Sequence, residues 1–118
     1  MQHHADWLAW DGKPGPSQTS LVDLGIPDAR EYTVRYLSDA ICSWDIDTVR
    51  IESSCNGGHD CTVFFQHHDR TYQAGLHPGV PRNGTTEIGH SLGLHAVFDE
   101  IRERHPGLVV DVCGAIFY

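Results

Sequence analysis

"SLVDLGIPDAREYTVRYLSDAICSWDIDTVRIE", Ser20 to Glu52, changes its periodicity twice, and those changes decide the fold. "SLVDLG" is a short apolar run ending at Gly25 and predicts a strand. From Ile26 to Trp44 the period becomes helical: Val34, Leu37, Ile41 and Trp44 recur at intervals of three and four, which predicts one core-facing stripe. Pro27 suits the first turn of that helix, where no N–H is needed, and Asp28 and Glu31 favour the positive end of its dipole. "IDTVRIE", Ile46 to Glu52, then alternates with period two and predicts a second strand, after which the chain breaks into small polar residues.

Downstream, Ser53 to about Gly84 predicts a long irregular loop holding "CNGGHDC", "HPGVPRNG" and four histidines, with "TVFFQ" as a short strand inside it. A second helix is expected over roughly Thr86 to Arg104, with Leu94, Val97, Phe98 and Ile101 as its apolar stripe and "HPG" at 105–107 as its stop. "LVVDVC", Leu108 to Cys113, is nearly continuous in apolar character, as expected of a strand covered on both faces. Upstream, "DGKPGPSQTS" alternates Gly and Pro and predicts a loop. The order is strand, helix, strand, long loop, helix, strand. That is α/β in class, a βαβ unit followed by a further βα step, with parallel strands and right-handed crossovers.

A chain of 118 residues suits one domain over 1–118. Its 8 Lys plus Arg against 16 Asp plus Glu give a formal charge of −8, which disfavours nucleic acid and anionic membranes as partners. No apolar run approaches the roughly 20 residues of a membrane helix, and "MQHHADWLAW" lacks the basic-then-apolar order of a signal peptide. The four cysteines, Cys42, Cys55, Cys61 and Cys113, form no Cys-x-x-Cys; their even count permits disulfides, but without a secretory signal reduced thiols and a cytoplasmic location are expected. No Gly-rich phosphate loop and no Gly-x-Ser-x-Gly elbow occurs.

Two stretches resemble the α-galactosidase-type enzymes of glycoside hydrolase family 36 and their relatives. The first is "VDLGIPDAREYTVRYLSDAICSWDIDTVRIE", where the family has a strand ending in Asp-Leu-Gly, an Asn-Pro-Glu-Ala-Arg helix start, and a strand delivering the catalytic Asp. The second is "RNGTTEIGHSLGLHAVFDEIRERHPGLVVDVC", which looks like the family's next helix and strand. Together they cover about half the chain.

The resemblance implies part of a TIM (β/α)₈ barrel, incomplete in this chain because a whole barrel takes roughly 250 residues. It implies retaining hydrolysis of terminal α-galactosyl linkages by two carboxylates, one attacking the anomeric carbon and one protonating the leaving oxygen. No cofactor is needed for this chemistry. By position, Glu52 stands where the family nucleophile stands, Arg50 where a basic residue contacts sugar hydroxyls, and Asp111 and Cys113 in the strand leading to a substrate-facing loop. The family nucleophile is Asp, whereas this chain has Glu. The family's acid/base carboxylate lies on a later strand, beyond Tyr118, so the chain alone is expected to be inactive.

Two alternatives stand beside this. One is a non-enzymatic small α/β binding or interaction module, whose open sheet edges a second copy could cover. The other is a metal-binding module using His59, Cys61, Cys55 and the pair His67–His68, although the spacing fits no standard structural-zinc pattern and a polar His-rich loop is the favoured reading. Cys55 and Cys61 could close a short disulfide or remain free thiols. Cys113 and Trp44 are expected in the core, while Trp7 and Trp10 could stack on a sugar or serve as packing.

Overall fold

The computed structural model describes residues 4–10, 20–52 and 84–113. A 3-10 turn, Ala5–Trp7, leads into β1, Leu8–Trp10. β2, Ser20–Val22, precedes helix α1, Pro27–Trp44, and strand β3, Thr48–Glu52. Helix α2, Thr85–Arg104, precedes β4, Val109–Cys113. The described residues thus form a mixed α/β structure of two helices and two two-stranded sheets, and not a complete barrel. Among them, no helix is long and apolar enough to cross a membrane.

The start of α1 is set by the turn before it. Asp23 Oδ1 accepts the Gly25 N–H at 2.9 Å, and the Ile26 N–H returns to the Asp23 carbonyl. This is the local side-chain turn that Asp forms readily. Pro27 then fixes the first helical position, and Asp28 lies in the first turn. At the far end Asp45 adopts a left-handed conformation, φ 52 and ψ 54, and the N–H groups of Asp45 and Ile46 both return to the Ile41 carbonyl. Such a reversal satisfies one of the carbonyls that the helix end would leave open.

That reversal corrects one expectation. Trp44 is not core: it is 72% exposed. The chain turns away immediately after it, and Ile46 packs against the core where the helical stripe would have continued.

α2 starts after Gly84, whose φ of 80 suits glycine, and its dipole is complemented by Glu87 in the first turn and Arg102 and Arg104 in the last. Arg104 also pairs with Glu100 one turn earlier, an exposed contact. After α2, Pro106 and Gly107 form a turn, and the Val109 N–H bonds to the Asp47 carbonyl at 2.9 Å. That bond sets the register in which β3 and β4 pair in parallel, from Thr48 opposite Val109 to Glu52 opposite Cys113.

The core joins α1 to α2. Leu24, Val34, Ile41, Val97 and Ile101 form one buried cluster, and Leu37, Leu94, Leu108, Ile46 and Val49 pack against it. Val34 and Val97 are buried completely. Close approach is achieved with small residues: a Cβ on Gly93 would sit 1.9 Å from the Leu24 carbonyl oxygen. One side-chain bond closes the other end, Ser38 Oγ to His105 Nε2 at 2.7 Å.

Of the parallel strands expected, β3 and β4 pair as predicted. The run at Ser20–Gly25 does not behave as predicted. Its strand stops at Val22 and pairs antiparallel with β1, Leu8 opposite Val22 and Trp10 opposite Ser20, rather than lying beside β3. Three-residue strands are too short to display a period, so "LAW" carried no strand signal. The 53–84 loop, with the "TVFFQ" strand and its Cys and His residues, lies outside the described residues up to its last position.

Candidate functional site

The four residues singled out by the sequence come together at the C-terminal ends of β3 and β4. In the parallel register Arg50 is opposite Asp111, and Glu52 is opposite Cys113. Strand alternation therefore puts positions 50 and 52 on one face of β3, level with positions 111 and 113 of β4. Val49, on the opposite parity, packs against the helical core. The core anchors one face of the ribbon, and the polar positions fall on the other.

Arg50 Nη1 donates to Asp111 Oδ2 at 3.0 Å. Both side chains are about half exposed, at 55% and 51%, so the pair is well solvated. A cross-strand pair of this kind fixes the orientation of two long polar groups more than it stabilises the fold. Chemically, a guanidinium held by a carboxylate beside a second acidic position can bind vicinal hydroxyls through donors and acceptors together.

A second polar cluster was not foreseen. Asp23, at 7% exposure, lies in the turn before α1, and His90 reaches it from α2. The Leu24 N–H donates to His90 Nδ1 at 3.2 Å, and the ring also bonds the backbone of Val22. Burial lowers the His90 pKa below its ordinary 6.5, against the opposing pull of Asp23 and of the Val22 bond. The one sequence signal available was Asp two residues before Gly, which announces a turn but not its histidine partner.

Among the described residues, no group of three or more His, Cys, Asp or Glu side chains is placed to hold a metal ion. His59, Cys61, Cys55, His67 and His68 lie outside them. Cys42 is an exposed free thiol on α1. Trp7 stacks on His4, with ring centroids 3.7 Å apart, and meets Tyr32 of α1 at 5.7 Å. Comparison with family models, curated proteins and solved structures finds no match to this chain.

Proposed function

We propose that this chain is a segment of an α-galactosidase-type glycoside hydrolase, carrying the nucleophile side of a retaining site. Glu52 stands at the nucleophile position. Arg50, oriented by Asp111, contacts sugar hydroxyls, and Cys113 borders the sugar across from Glu52. The observation supporting this reading is the β3–β4 register, which aligns all four positions at the carboxyl ends of two parallel strands. Sites in parallel α/β architectures form at such ends.

The general acid is expected from chain outside the two stretches that carry the resemblance. A retaining site holds its two carboxyls about 5–5.5 Å apart. Glu in place of Asp extends the reach of the nucleophile by about 1 Å, a displacement that can cost on the order of a hundredfold in rate. The reading therefore assigns sugar recognition to these residues and no turnover of ordinary galactosides to the 118 residues alone.

Titrating methyl α-galactoside into the labelled chain tests this. Amide shifts confined to Arg50–Glu52 and Asp111–Cys113, weakened by Arg50→Ala, are expected. Equal shifts from the gluco epimer, or none at the rim, would count against it.

A second reading has its own observation. β2 pairs with β1 instead of β3, which suits a small self-contained α/β binding module better than a barrel segment. A cooperative melt of a defined dimer, whose amide changes on dilution map to the strand edges, would favour that reading.

A further inference from the structure

We propose that His90 is a proton-operated clasp between α2 and the Asp23–Gly25 turn. As neutral imidazole it holds the turn; as imidazolium it releases the Leu24 N–H and takes the Asp23 carboxylate, loosening α2 from the first half of the chain.

The clasp joins residues 66 apart in sequence. Nδ1 accepts from the Leu24 N–H, which requires a lone pair on that nitrogen, so the proton of the neutral ring sits on Nε2. Val22, two residues before Leu24, supplies the ring's other backbone bond. Added charge puts a hydrogen on both nitrogens, and the Leu24 N–H then faces another N–H. The ring has little room to slide aside, because the same turn presses on α2 at Gly25 and Gly93. The acceptor at hand for the new proton is Asp23, buried in that turn with Oδ1 already taking the Gly25 N–H.

Asp23, from the turn, favours the imidazolium. Arg30, from α1, donates to the Leu24 carbonyl at 3.5 Å. Glu87 lies three residues before His90 on α2. Burial outweighs Asp23, so the folded ring resists protonation. The sign follows: the unfolded chain takes up the proton first. The clasp contributes fully above pH 6.5, and its contribution is lost as pH falls from 6.5 toward the lower folded value.

Nitrogen-15 NMR of the full chain between pH 8 and 4.5 tests the proposal. The neutral His90 ring is expected as the Nε2–H tautomer with a midpoint below 6.5. The Leu24 amide protection factor should fall by up to about tenfold per pH unit within the linkage window. His90→Asn places an amide oxygen near the Nδ1 site and cannot titrate, so its Leu24 protection should stay flat with pH. An Nδ1–H tautomer, a midpoint at or above 6.5, or Leu24 protection in His90→Asn that falls as in the native chain would overturn the proposal. The native-chain titration decides alone if the variant does not fold.

Discussion

Replacing Gly93 by Ala should destabilise the protein even though alanine is the better helix former. In an open helix the change gains up to about 1 kcal/mol. Here the new Cβ would meet the Leu24 carbonyl oxygen at 1.9 Å and its carbon at 2.4 Å, both backbone atoms with no rotamer to yield. Relief requires α2 and the turn to separate by about an ångström. Overpacking of this kind costs about 1–3 kcal/mol. The same separation stretches the Leu24 N–H bond to His90, already 3.2 Å long, and a lost hydrogen bond removes about 1 kcal/mol more. The net is a loss of about 2 kcal/mol, or a fall in Tm of about 8 °C for a domain of this size. Gly89, one turn earlier, is the control: its Cβ would find only Gly25 Cα, at an ordinary 3.7 Å. Gly89→Ala should raise Tm by a few degrees. Thermal melts by circular dichroism at pH 7.5, with urea midpoints at unchanged m-value, read both. A Gly93→Ala protein melting at or above the native temperature would refute the close approach of α2 to the Leu24–Gly25 turn.

Other expectations follow from single contacts. Asp111→Asn should cost no more than about 1 kcal/mol, since the Arg50 pair is solvated; urea melts should show the difference shrinking in high salt. Ser38→Ala removes the bond to His105 and should lower stability by about 1 kcal/mol, read as a shifted urea midpoint. Asp45→Gly relieves a left-handed residue at the end of α1 and should raise Tm, with a gain of up to about 1 kcal/mol. The native chain should lose stability as pH drops below 6.5 through His90, whereas His90→Asn should lack that component, seen by comparing Tm at pH 7.5 and 5.5.

Legibility in the sequence tracked the distance over which each feature is determined. α1 was readable because Pro27, Asp28 and the Val34–Ile41 stripe act within a few turns. The stripe tells which side is apolar but not where the core ends, so it carried Trp44 inward when the Asp45 reversal had already given that place to Ile46. β3 was readable as a strand from its alternation and β4 from its nearly continuous apolar run. Their register was not, because it depends on how the Pro106–Gly107 turn delivers Val109 to Asp47. Arg50 and Asp111 were singled out separately, by resemblance, and their ion pair became visible only with that register. The antiparallel β1–β2 pairing had no local signal. The His90 clasp was hidden for the same reason as the register: its partners belong to a turn formed by the other half of the chain.

The most direct measurement uses an α-galactosyl fluoride whose ring fluorination slows breakdown of a glycosyl ester. Fluoride departs without a general acid, so only the nucleophile side of the site is required. Incubation with the chain, digestion and mass spectrometry should find one glycosyl residue on the peptide containing Glu52, absent in Glu52→Gln and reduced in Arg50→Ala. A chain that folds cooperatively yet takes no label, or takes it equally in Glu52→Gln, would contradict the role given to the β3–β4 rim.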